Sequence, residues 1–129
     1  MSSASFEIEI RGGEIDGELV RFRPGETLQG SVRIIPDEDL KARHVYARLQ
    51  WHTEGRGDRD ESIIEGQDLF QGMLRAGSPV YYSFHFRLPE QPWSYAGHYV
   101  NIVWAIEVSI DLALARDPQA LKPFVLAPD

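Results

Sequence analysis

Cysteine is absent from the 129 residues. That excludes a disulfide framework, a thiolate zinc site and a cysteine nucleophile together. No run approaches the ~18 consecutive apolar residues of a membrane span. The opening Met1-Ser2-Ser3-Ala4-Ser5 has neither a basic region nor an apolar stretch, so it does not read as a secretory leader. Basic charge is in deficit, with 13 Lys+Arg against 20 Asp+Glu and a formal charge of −7. Nucleic acid is therefore not an expected partner, because phosphate binding needs a basic face. The same charge opposes direct binding to anionic lipid. A cytoplasmic protein is the expectation from these features.

What the chain has is ample apolar content, 43% against 26% charged, as in folded globular proteins. Its length suits one domain, taken as residues 1–129. The apolar period is two almost everywhere, which is the signature of half-buried strands. Phe6, Ile8 and Ile10 alternate with Glu7, Glu9 and Arg11. Leu28, Val32 and Ile34 share one parity, with Gly30 among them. Val45, Ala47, Leu49 and Trp51 oppose His44, Tyr46, Arg48, Gln50 and His52. Val80, Tyr82, Phe84, Phe86 and Leu88 form another inward set. The longest run, His98 to Leu112, places Val100, Ile102, Trp104, Ile106, Val108, Ile110 and Leu112 inward, and its length predicts a bend or two pairing partners.

Weaker strands are predicted at Glu18 to Phe22, Ser62 to Phe70 and Lys122 to Leu126, and single helical turns at Asp37 to Ala42 and Asp117 to Leu121. Turn signals separate the strands: Gly12-Gly13, Pro24-Gly25, Pro36-Asp37, Gly77-Ser78-Pro79 and Pro89 to Pro92. Seven or eight strands without alternating helices predict an all-β, antiparallel, immunoglobulin-like sandwich.

The segment Arg23-Pro24-Gly25-Glu26-Thr27-Leu28-Gln29-Gly30-Ser31-Val32 resembles the early proline-glycine-glutamate segment of arrestin-like N-terminal domains. Phe84-His85-Phe86-Arg87-Leu88-Pro89 resembles that family's strand end, and Pro92-Trp93-Ser94 with Gly97 follows at similar spacing. Ile102 to Asp111 matches its long strand. The likeness runs over roughly residues 5–126. It implies an arrestin-type sandwich and a non-enzymatic scaffold that binds other proteins, often near a membrane. Peripheral membrane association rests on that analogy alone. Arrestin-like proteins usually carry two such sandwiches in tandem and this sequence spans one, so functions of an interdomain contact do not transfer.

Chemistry-bearing residues are sparse. His44 and His52 share a strand face but lie eight residues apart, about 27 Å, too far to ligate one ion. His52 and Glu54 would need a third ligand from His85 or His98. Surface histidines and no metal are expected. No Gly-x-Ser-x-Gly elbow occurs, and no histidine–aspartate pair is evident to activate a serine. No catalytic residue and no cofactor site is assigned. The loop Glu54 to Glu61, with its Arg56-Gly57-Asp58 triplet, reads as a solvated hairpin tip.

If the strands at 43–53 and 98–112 share a sheet, their outward residues bring His44, Tyr46, Arg48, Gln50 and His52 beside Tyr99, Asn101, Val103 and Ala105. Such a face, rich in Tyr, His and Arg and poor in lysine and acids, has an interface composition. His44, Tyr46, Arg48, His52, Tyr99 and Asn101 are the candidate partner-binding residues. The partner is another protein or peptide, or a second copy in a homodimer. A covering segment of the same chain would account for the same face equally well. An unpaired strand edge is a second mode of recognition. The alternative function is a small-molecule or carbohydrate site at Trp93 and Tyr95, although large aromatics there more often pack onto the sandwich end.

Overall fold

The computed structural model describes residues 3–57 and 59–128. Ten strands follow one another: β1 (Ala4–Arg11), β2 (Glu14–Asp16), β3 (Leu19–Phe22), β4 (Thr27–Pro36), β5 (Leu40–Gly55), β6 (Glu61–Leu74), β7 (Val80–Arg87), β8 (Tyr95–Ala96), β9 (Val100–Leu112) and β10 (Gln119–Leu126). The count exceeds the expected seven or eight because β2 and β8 are only three and two residues long, too short to show alternation. There is no helix among the described residues. The two helical turns expected from sequence do not form, and an aspartate of each segment accepts instead from a backbone N–H outside it. Asp39 accepts from the Ala76 N–H and Asp117 from the Leu112 N–H, while β5 and β10 begin at Leu40 and Gln119.

The strands form two sheets. One has the order β1-β4-β7, and the larger runs β2-β3-β10-β9-β5-β6 with β8 also against β9. All pairs are antiparallel except β10 with β3, which is parallel and puts Val125 opposite Arg21. No hairpin joins these two strands, so no turn dictates their direction. β9 pairs with β5 along one edge and with β8, then β10, along the other, as its length predicted.

The core lies where the inward parities meet. Leu28, Val32 and Ile34, Val45, Ala47 and Leu49, Phe84 and Phe86, and Trp104, Ile106, Val108 and Ile110 are buried there with Phe22, Phe124 and Leu126. Each large side chain so placed contributes about 1.5–3 kcal/mol relative to exposure. Val100, expected inward, is exposed at the start of β9. Gly25 has the positive φ (85°) required after Pro24 in its turn. Gly30 sits between Ile10 and Phe84 in unbroken register, so it marks a close approach and no bulge. A Cβ there would stand 2.6 Å from the Phe84 ring and 2.7 Å from the Glu9 carbonyl oxygen. Gly30→Ala is expected to cost about 1–3 kcal/mol by overpacking, read from the denaturation midpoint. An unchanged midpoint would mean that the Phe84 ring yields freely.

Candidate functional site

Residues Trp104 to Ile110 are buried without interruption, on both faces of β9. The inward half is core. The outward half is unusual, because no second layer of the described chain pairs over it and yet polar side chains there are shielded. Gln50 is 1% exposed, His52 3% and Glu107 9%.

Register explains the assembly. Along the outward face of β5, Tyr46 lies opposite Ser109, Arg48 opposite Glu107, Gln50 opposite Ala105 and His52 opposite Val103. Arg48 donates through Nη1 to Glu107 Oε1 (3.3 Å) and Ser109 Oγ (3.2 Å). Gln50 Nε2 donates to Glu107 Oε2 at 3.2 Å. That fixes the amide, so Gln50 Oε1 faces His52 Nδ1 at 2.9 Å. The other ring nitrogen, Nε2, faces Glu54 Oε2 at 2.9 Å. Both ring nitrogens of His52 thus lie at hydrogen-bond distance from a side-chain oxygen. Farther along, the Arg48 guanidinium lies 4.3 Å from the Tyr46 ring centroid, and His44 stacks on the same ring. His44 Nδ1 donates to Asp68 Oδ2 at 2.6 Å. Hydrogen bonds from Gln71 and then His44 hold the Asp68 carboxyl below its ordinary pKa. Among the described residues every buried side-chain nitrogen and oxygen has a partner.

Beside this ladder the sheet is hollow. A cavity of about 380 Å³ is lined by Leu19, His52, Glu54, Arg59, Val103, Ala105, Leu121 and Pro123. A second, of about 340 Å³, lies under Tyr95 among Leu19, Asn101, Ile102, Val103, Phe124 and Val125. Leu19 and Val103 border both.

His44, Tyr46, Arg48 and His52 follow one another along the outward face of β5, and Asn101 lies beyond the His52 end, opposite Glu54 and two residues from Val103. Tyr99 lies farther out, before β9 begins, packs against the His98 ring and lies 5.5 Å from the Arg56 guanidinium. It is ten residues from Ser109, the partner of Tyr46, which is about 33 Å of strand. The Asn101 side chain accepts from the Gly97 N–H and lines the Tyr95 hollow. The expectation of an acid-poor face is also corrected: Glu107 and Asp111 lie on it, with Asp68 and Glu54 bonded at its ends. Antiparallel pairing brings the start of β5 against the end of β9, where these acids are.

His52, expected at the surface, is buried. The His44–Asp68 pair exists where none was evident, because a β5–β6 register joins residues 24 apart, but no serine hydroxyl bonds the His44 ring among the described residues. His85 is on β7 of the other sheet and His98 lies before β9. No cluster of three metal-ligating side chains occurs among the described residues. At the hairpin tip, Asp60 bonds Thr53 through its amide and its carbonyl, and Arg59 reaches Glu61 at 3.9 Å. Asp58 lies outside the described residues.

Trp93 and Tyr95 are 49% and 58% exposed, so packing onto the sandwich end is not their role. Trp93 Nε1 donates to the Glu90 carbonyl of its own loop and the ring does not line the hollow under Tyr95. Trp104 anchors that loop to the core, donating from Nε1 to the Pro92 carbonyl at 2.8 Å. Sequence reasoning missed Glu107, although a signal was present. One carboxylate in the middle of an apolar strand requires a partner, and the outward parity limits where that partner stands.

No family model matches the chain, and no curated protein matches it. Among solved structures, the crystal structure of Spo0M, a sporulation control protein from Bacillus subtilis, superposes with a TM-score of 0.73 at 15% identity. The match covers 100% of this chain and 51% of Spo0M, so the chain spans about half the length of that neighbour. At such identity the likeness concerns fold alone. No helix among the described residues is long and apolar enough to cross a membrane. Strand order, the long shared β9 and this superposition together give the chain an arrestin-like β-sandwich fold.

Proposed function

We propose that this chain is a non-enzymatic, cytoplasmic protein-interaction module, an adaptor or assembly subunit. It binds a protein or peptide through the outward face of β5 and β9. One observation carries this reading: the polar groups at the centre of that face are satisfied by one another, while Tyr46, Leu121 and the hollow at Val103 remain for contact. A partner docking there leaves no buried donor or acceptor unpaired, which is the costly outcome for a polar interface. Tyr and Arg also supply the side chains that most often anchor interfaces.

The test is capture by the immobilised protein from source lysate. Tyr46→Ser with Leu121→Ser is expected to abolish capture, with the circular dichroism spectrum unchanged. Capture that survives in a folded variant rejects this face. A small apolar ligand under Tyr95 is the second reading, favoured by the hollow there. Tyr95→Ala should weaken such binding and leave protein capture intact.

A further inference from the structure

The two sheets end on four strands: β1 and β7 in the smaller, β2 and β6 in the larger. A terminal strand leaves a row of backbone N–H and C=O groups open to pairing with another chain, and charge, shortness or a bulge is what normally prevents it. Three of the four carry such a device. β1 displays Glu7, Glu9 and Arg11, and β2 is three residues long with Glu14 and Asp16 at its ends. β6 carries Glu61, Glu65 and Asp68 and is broken by register shifts against β5. β7 has none of these. It pairs with β4 in unbroken register from Val80 to Arg87. Val80 to Phe86 contains no formal charge, no proline and no glycine, and four of its seven residues are aromatic. That is the composition that adds further strands most readily.

One side chain does stand at this edge. Gln67 of β6 lies opposite buried Ala47, on the parity that faces between the sheets, and from there it reaches β7. Its Nε2 donates to the His85 carbonyl oxygen at 2.7 Å, and its Oε1 accepts from the His85 N–H at 3.3 Å. The amide thus offers His85 the donor and the acceptor that a residue of a neighbouring strand would offer. Backbone groups alternate sides along a strand, so Tyr81, Ser83 and Arg87 point theirs the same way as His85. No strand of the described chain pairs on that side. The Gln67 amide therefore interrupts an otherwise open row.

We infer that Gln67 guards the β7 edge: its amide takes the place of an added strand, and while it is seated a second copy of the chain cannot pair β7 against β7. The excluded occupant is a second copy because this strand suits its own antiparallel pairing. A two-fold axis at Ser83 sets Tyr81 opposite His85, Val80 opposite Phe86 and Arg87 opposite Pro79, so aromatic and apolar side chains meet and no like charges do. Elsewhere the chain's formal charge of −7 sets one copy against another.

Light scattering across a concentration series tests the guard. Gln67→Leu keeps an inward side chain of similar size and removes both hydrogen bonds. At matched concentration this variant should show a mass above that of the parent protein, or precipitate where the parent stays in solution. Adding Ser83→Lys should restore the parent's behaviour, because the two-fold sets one ammonium from each copy face to face. Ser83 is exposed, so the lysine leaves the core untouched. Amide hydrogen exchange gives an independent reading in the Ser83→Lys background, where no added strand protects β7. There the His85 amide should be protected about tenfold better than those of Tyr81 and Arg87, and Gln67→Leu should remove the difference. A Gln67→Leu protein of unchanged mass, association or precipitation that Ser83→Lys does not reverse, or a His85 amide no better protected than those two overturns the inference.

Discussion

Trp104→Ala is expected to lower the unfolding free energy by roughly 3–5 kcal/mol, the range for emptying a buried aromatic site. The indole is fully buried, lies 6.1 Å from the Phe124 ring, and is followed in the cluster by Phe22 at 5.9 Å from Phe124 in edge contact. Its Nε1 also ties the proline-rich loop to the core through the Pro92 carbonyl. The substitution therefore acts twice. It opens a cavity between the sheets, and it releases the loop that carries Trp93 and Tyr95 over the smaller hollow. Denaturant unfolding reads the first effect, and a red shift in the remaining tryptophan emission reads the second. Trp104→Phe keeps most of the ring volume and loses the hydrogen bond, so it should cost only about 1 kcal/mol. A loss below about 1 kcal/mol for Trp104→Ala would show that the site collapses around the missing ring.

Glu107→Ala should destabilise by about 2–3 kcal/mol, less than the 3–5 of a fully buried pair because the Arg48 side chain keeps some access to water. The carboxylate accepts from Arg48 and from Gln50. Without it the buried Gln50 N–H has no acceptor, and the constraint that aims Gln50 Oε1 at His52 is gone. Coupling is the sharper measurement. A double-mutant cycle of Glu107→Ala with Arg48→Ala should show an interaction energy of ~1 kcal/mol or more, because removing the second partner restores part of what removing the first lost. Additivity would mean that the ladder is a row of independent contacts. A Glu107→Gln variant should be intermediate, since its amide has one acceptor to offer two donors.

The strands were legible because alternation is a local property. Phe84 and Phe86, or Ile106, Val108 and Ile110, declare their face within a few residues, and the length of β9 declared that it must serve more than one neighbour. The outward set from His44 to His52 was legible for the same reason. Its opposite members were not, because they depend on register between segments some 60 residues apart, and one strand does not encode its offset against another. That offset placed Glu107, Ser109 and Asp111 against β5 and left Tyr99 at the far end. The single turns at Asp37 and Asp117 misled because an aspartate suited to a helix start accepts equally well from another backbone N–H, as Asp39 does from distant Ala76 and Asp117 from nearby Leu112.

The sequence by itself determined an all-β sandwich, the inward face of each long strand, and a Tyr/His/Arg face on β5. Tertiary structure alone decided that this face carries its acids with it, that His52 is buried between Gln50 and Glu54, and that hollows open at Val103. The division has one physical cause. Side-chain alternation is fixed by the geometry of each strand, whereas hydrogen-bond partners and charge balance are fixed by which residues the antiparallel register sets side by side.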